Sequence, residues 1–163
     1  MSVRSALLAL ALSLPLTPAR AADQACSIAI TGAVQASFRC RISFLARGDG
    51  AVRVLVTPEK LPKTVKAMLP GEFELPAPVQ AQVYPFDRLA SAQVLLTGPH
   101  HATFSAVKGK KERRGDVTVT LTQVANVAGG HEALKPSLSG KMEAHLVPAS
   151  KSAKGEARVT VTF

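Results

Sequence analysis

Apolar and polar side chains alternate without exception from position 34 to position 44 of this chain. The apolar positions are Val34, Ala36, Phe38, Cys40, Ile42 and Phe44, and the positions between them are Gln35, Ser37, Arg39, Arg41 and Ser43. Successive side chains on a β-strand point to opposite faces of the sheet, so this pattern predicts a strand with one buried face.

The same period recurs in shorter runs that are separated by Gly-, Pro- and Ser-containing segments. The runs are 52–56, 79–83, 117–122, 142–146 and 158–163, with weaker candidates at 92–97 and 102–107. Short alternating runs between turns are typical of antiparallel all-β domains. We therefore predict an all-β fold: a single antiparallel β-sandwich, or a small barrel, of about eight to ten short strands.

One segment departs from this period. Leu61, Val65, Met68 and Leu69 have helical spacing, and Pro62 could occupy a first helical turn, where its missing N–H costs little. The spacing predicts one short helix near 62–69.

The same apolar alternation predicts that the two cysteines of the chain pair with each other. If the chain folds back at Gly32, the opposed apolar pairs are Ile30 with Ala36, Ile28 with Phe38, and Cys26 with Cys40. Directly opposed residues on antiparallel strands lie within reach of a disulfide, which over so short a loop contributes about 3 kcal/mol. A second hairpin is predicted at Gly48-Asp49-Gly50, because a three-residue loop keeps Phe44 opposite Val54 and Ile42 opposite Val56.

The first 21 residues have the three parts of a secretory signal peptide. Arg4 is followed by an apolar run over 6–16, and Ala19-Arg20-Ala21 matches the small-x-small cleavage pattern. A membrane-spanning helix needs about 20 apolar residues, and Pro15 and Pro18 interrupt this run. We expect cleavage near Ala21/Ala22, a periplasmic or secreted location, and one disulfide-pinned domain over 22–163 without a transmembrane anchor.

The expected mature chain is basic, with 18 lysines and arginines against 11 acidic side chains. Five basic residues lie close together between two predicted strands: Lys108, Lys110, Lys111, Arg113 and Arg114. This basic loop is the candidate contact surface for an anionic envelope component or an acidic protein. The competing interpretation is a hairpin tip whose charges are simply solvated.

Other function classes find little support. Nucleic-acid binding is disfavoured because the chain has no Trp and a single Tyr, Tyr84, for stacking on bases. The histidines His100, His101, His131 and His145 lack the spacing of known zinc motifs. The match of Ser105 and Lys108 to Ser-x-x-Lys has no partner motifs. The sequence thus contains no motif for a catalytic, cofactor-binding or metal site.

We therefore expect a non-catalytic exported module that binds an anionic or protein partner at the cell envelope. One alternative is a small secreted enzyme whose site is assembled from scattered polar residues. Another is an outer-membrane β-barrel, suggested by the terminal Phe163 and disfavoured by the shortage of Trp and Tyr for aromatic girdles.

Overall fold

A computed structural model describes residues 22–69, 71–109, 112–127 and 136–163, so the predicted signal peptide, Lys110, Lys111 and His131 lie outside it. The strands are β1 Ala22–Gly32, β2 Ala36–Ala46, β3 Val52–Pro58, β4 Ala67–Met68, β5 Gly71–Leu75, β6 Val83–Tyr84, β7 Ser91–Thr97, β8 Thr103–Lys108, β9 Arg113–Arg114, β10 Asp116–Ala125, β11 Ser137–Pro148 and β12 Ala157–Thr162. Two short 3-10 turns cover Phe86–Arg88 and Pro99–His101. The all-β prediction is confirmed.

The strands close into a barrel rather than stacking as two sheets. Eight of them pair around the ring in the order β11, β12, β1, β2, β3, β5, β7 and β8, all antiparallel. The ring closes where Val147 and Pro148 of β11 pair with Ser105 and Phe104 of β8. Of the two predicted architectures, the barrel is therefore the one found, and closure leaves the ring without a free edge.

The barrel has a filled interior and a polar outer face. Its largest fully buried side chains include Tyr84, Phe44, Phe73 and Phe104. An eight-stranded barrel is just wide enough for side chains to fill it, which is what the apolar parity of the strands achieves. The outward positions of β2, β11 and β12 are mostly charged or hydroxyl-bearing, as in Arg39, Lys141 and Thr160.

The first hairpin has the predicted register. Ile30 pairs with Ala36, Ile28 with Phe38 and Cys26 with Cys40, and the cysteines form a disulfide with their Cα atoms 4.9 Å apart. The second hairpin is also confirmed, because Phe44 pairs with Val54 and Ile42 with Val56. Its loop is closed by the Arg47 N–H, which donates to the Ala51 carbonyl at 2.8 Å, and Gly50 has a positive φ of 81°.

The predicted helix near 62–69 is wrong. The Lys66 N–H donates to the Thr97 carbonyl at 2.8 Å and the Leu69 N–H to the Leu95 carbonyl at 3.1 Å, so this segment lies along β7 as the two-residue strand β4. Val65 and Met68 are nevertheless buried. Cross-strand pairing outweighed the helical spacing here, because a short helix is marginal without tertiary support.

Two further strand predictions need correction. The sequence pattern missed β5, whose Phe73 and Leu75 are fully buried. The run predicted over 79–83 contributes only β6, which pairs at two positions with β10. Residues 76–82, between β5 and β6, are irregular chain at one end of the barrel.

Candidate functional site

The alternating strand directions place the connections at two ends of the barrel. One end, called here the lysine end, comprises segments 33–35, 59–66, 98–102 and 149–156. The other, called the loop end, comprises segments 47–51 and 76–90 and the described residues of the basic loop, Lys108, Arg113 and Arg114. Buried apolar side chains of the described strands occupy the interior, so the two ends and the outer wall are the surfaces considered for a partner.

Hydrogen bonds between connections hold the lysine end together. The Ala33 N–H donates to the Glu156 carbonyl at 2.9 Å, which joins the first turn to segment 149–156. The Thr64 hydroxyl donates to the Gln35 carbonyl at 3.3 Å, which joins the same turn to segment 59–66. The Ser152 hydroxyl donates to the His101 carbonyl at 3.1 Å. The four segments therefore form one continuous surface.

This surface carries five exposed lysines, which are Lys60, Lys63, Lys66, Lys151 and Lys154. Among the residues that the structure describes, none of the five has a carboxylate within salt-bridge distance. The two carboxylates of this end have other partners. Glu59 lies 3.6 Å from Arg41, and Glu156 lies 2.7 Å from His145. The lysine end is thus a surface of unneutralised positive charge.

The basic loop, which the sequence singled out, uses its charges differently. The Lys108 ammonium donates to the carbonyls of Phe86 and Asp87 at 2.9 and 2.8 Å, and to that of Leu89 as well. An ammonium has three donors, so all three are taken. Lys108 therefore fixes the 3-10 turn across the loop end and has no donor left for a partner.

The arginines of the basic loop are also engaged within the chain. The Arg113 guanidinium lies 2.6 Å from the Asp87 carboxylate and 5.2 Å from the centre of the Phe86 ring. Arg114 lies 3.5 Å from Glu112. The proposed contact role of Lys110 and Lys111 falls on residues outside the described part and stays a prediction.

The described residues line a depression at each end of the barrel. At the loop end, a depression of about 650 Å³ is lined by Gly48–Gly50, Ala77–Gln80 and Val124–Val127. Its one titratable side chain among the described residues, Asp49, accepts the Ala51 N–H at 3.1 Å. At the lysine end, a groove of about 330 Å³ is lined by Phe38, Arg39, Glu59, Lys60, Leu61 and Pro62.

Those residues weighed for chemistry from the sequence that the structure describes do not converge; His131 lies outside the described ranges. Ser105 is buried on β8, and Lys108, three residues along the same strand, projects to the opposite face and is bonded to carbonyls. His100 and His101 lie in the 3-10 turn at the lysine end, whereas His145 pairs with Glu156. Within the described ranges, no group of three His, Cys, Asp or Glu side chains is placed to hold a metal ion.

The sequence prediction missed the lysine end because its lysines belong to two connections some 90 residues apart. In the sequence, the lysines of 60–66 fall in or beside the segment predicted as a short helix, whereas those of 151–154 flank Ser152 and Ala153 in a segment typical of a solvated connection. Only the strand directions reveal that the two share an end.

No helix in the described part of the chain combines the length and hydropathy that crossing a membrane requires. No family model, curated protein or solved structure matches this chain, so its function has to be inferred from the charge and shape of the barrel itself.

Proposed function

We propose that this protein is an exported, non-catalytic barrel module that binds an anionic component of the cell envelope through its lysine end. The observation that carries the proposal is the set of five exposed lysines without carboxylate partners in the described chain, held on one surface by hydrogen bonds between connections. Each lysine near an anionic surface contributes about 1 kcal/mol, so five together supply useful affinity.

Export is supported by the disulfide and by the predicted signal peptide at 1–21. Disulfides persist in oxidising compartments such as the periplasm and the extracellular space. The Cys26–Cys40 bond is compatible with such a location.

The outer wall supports a barrel that works outside the bilayer. Membrane-spanning barrels carry an apolar band on the lipid face and a polar lumen. This barrel has the reverse arrangement, with an apolar interior and residues such as Arg41, Arg53 and Lys141 on the outside.

The experiment compares two charge reversals of equal size in the mature protein. One variant reverses Lys60, Lys63, Lys151 and Lys154 to Glu, and the other reverses Lys110, Lys111, Arg113 and Arg114. Retention is measured on vesicles with and without anionic lipid and on a heparin column, at low and at physiological salt. Circular dichroism checks that both variants are folded.

We expect the lysine-end variant to lose on the order of a thousandfold in affinity for the anionic vesicles or for heparin, because four attractive charges become repulsive. The matched loop variant should keep most of its binding, and binding of the wild type should weaken with salt. Equal loss in the two variants would mean that net charge alone matters. Loss in the loop variant only would restore the basic loop as the contact surface.

A further inference from the structure

The groove at the lysine end combines an apolar floor with a charged rim. Phe38 and Leu61 are partly buried and pack against the barrel core, and Pro62 continues the apolar wall. The groove arises where the chain leaves β3. The Glu59 N–H still donates to the Arg39 carbonyl at 3.1 Å, and beyond it residues 60–62 no longer pair with β2.

The charges around this groove are predominantly positive. Arg39 and Lys60 line it and, within the described residues, neither has a carboxylate at salt-bridge distance. The third charged residue, Glu59, lies 3.6 Å from the Arg41 guanidinium, which offsets its charge. A ligand in the groove therefore has both apolar side chains and two cationic residues among its lining.

We propose that this groove takes the apolar chain of an anionic lipid, with the phosphate or carboxylate of the headgroup held by Arg39 and Lys60. This inference rests on the proposed function and names the class of partner. A volume of about 330 Å³ is at the small end of ligand pockets, which suits one segment of an acyl chain rather than a large ring system.

A peptide segment suits the groove less well than a lipid chain. Peptide backbone brings N–H and C=O groups that need hydrogen-bond partners when they are removed from water. The side chains of Phe38, Leu61 and Pro62 offer none. An alkyl chain has no such requirement and gains from every methylene that it buries.

The test measures binding of monomeric probes to the mature protein by titration calorimetry. The probes are decyl phosphate below its critical micelle concentration, inorganic phosphate, and decyl maltoside as a neutral amphiphile. We expect decyl phosphate to bind at least about tenfold more tightly than either of the others, because only it uses both the floor and the rim.

Two variants test separately the apolar contribution of Leu61 and the charge contribution of Lys60 to binding in the groove. Leu61→Ser should weaken decyl phosphate binding about tenfold, and its control is Leu45→Ser, since Leu45 is 53% exposed on the outer wall. Lys60→Gln should also weaken decyl phosphate binding. Its control is Lys141→Gln, because Lys141 does not line the groove and its ammonium lies 2.9 Å from the Glu143 carboxylate. Both controls should bind like the wild type.

A second measurement does not depend on how Leu61→Ser folds. In the wild type, the methyl resonances of Leu61 should shift on addition of decyl phosphate, whereas those of Leu45 should not. If decyl phosphate binds no better than inorganic phosphate and Leu61 does not shift, the groove is not a lipid site. Lysine-dependent retention on vesicles or heparin would then still stand, so the two proposals fail separately.

Discussion

The two ends of this barrel are both rich in basic residues, and they use them in opposite ways. At the loop end, Lys108 donates to three carbonyls, Arg113 pairs with Asp87 and Arg114 lies near Glu112. At the lysine end, five exposed lysines have no such acceptors among the described residues. Three residues of the densest basic run in the sequence therefore stabilise the fold through contacts within the chain. The lysines of the lysine end remain available to bind an anionic partner.

The difference follows from what each set of residues faces. Lys108 is at the end of β8, where the carbonyls of the 3-10 turn Phe86–Arg88 converge on it. Carbonyls near the end of a helical turn accept readily from a cation. The lysines of 59–66 and 149–156 lie on connections that each bond to the turn 33–35 through backbone and hydroxyl groups, and their side chains are exposed. Substitutions at the two ends should therefore differ in their effects.

We expect the largest loss of unfolding free energy from a substitution at Gly115, which lies next to the basic loop. Gly115 has a φ of 64°, and a Cβ there would press against the His145 carbonyl and lie 3.0 Å from the Ala106 Cα. Gly115→Ala should cost about 2–5 kcal/mol of unfolding free energy, from the left-handed backbone and the overlap together. Urea unfolding measures this loss.

Gly155 at the lysine end is the matched control for Gly115. Its φ is 74°, and the nearest atom to a new Cβ would be the Ala33 Cβ at 3.8 Å. Gly155→Ala should therefore cost only about 1–2 kcal/mol, the cost of the left-handed conformation alone. Equal losses at the two glycines would show that the tight corner at Gly115 relaxes without penalty.

The next largest loss of stability is expected when the disulfide between β1 and β2 is removed. Replacing Cys26 and Cys40 together by Ala should lower stability by about 3 kcal/mol, which lowers Tm by roughly 6–12 °C in a domain of this size. Below the new Tm, retention on anionic vesicles or heparin should be unchanged, because the lysines lie on other connections. An unchanged midpoint would contradict the view of the disulfide as a staple.

Lys108 tests directly whether the basic loop is structural. Lys108→Met keeps the length of the side chain and removes its donors, which leaves the carbonyls of Phe86, Asp87 and Leu89 without this partner. We expect a loss of about 1–3 kcal/mol in thermal or urea unfolding. Lys154→Met at the lysine end should change stability by less than about 0.5 kcal/mol. Similar values for the two would remove the distinction between the ends.

The smallest loss of unfolding free energy is expected from a substitution at Arg113. Its side chain is 62% exposed and that of Asp87 is 73% exposed, so the ion pair is largely solvated. Arg113→Gln should cost less than about 1 kcal/mol. The difference from the wild type should shrink further in 1 M salt, where charges are screened within about 3 Å. A loss that salt does not reduce would point to stacking on Phe86 as the main contribution.

The local parts of the fold could be predicted from the sequence because they depend on neighbouring residues. The two hairpins, their registers and the disulfide followed from period-two parity and turn glycines. The strand β5 carries the same alternation in Phe73 and Leu75, but its short length hid it beside a segment with helical spacing. The groove at Phe38 and Leu61 had no such signal, since it forms only where the chain leaves β3.

The period-two alternation is sufficient to predict antiparallel strands with one buried face, because a strand places every second side chain on the same side of the sheet. That the lysines of 60–66 and 151–154 lie at one end of the barrel depends on long-range strand pairing. If the predicted strands simply alternated in direction, the connections that contain 60–66 and 151–154 would lie at opposite ends of the barrel. The chain instead reverses at Gly115, where β9 leaves β8 and β10 joins β11, and this extra reversal brings both connections to one end. A reversal of this kind depends on a close approach to His145 and Ala106, residues distant in sequence from each other, which no local pattern records.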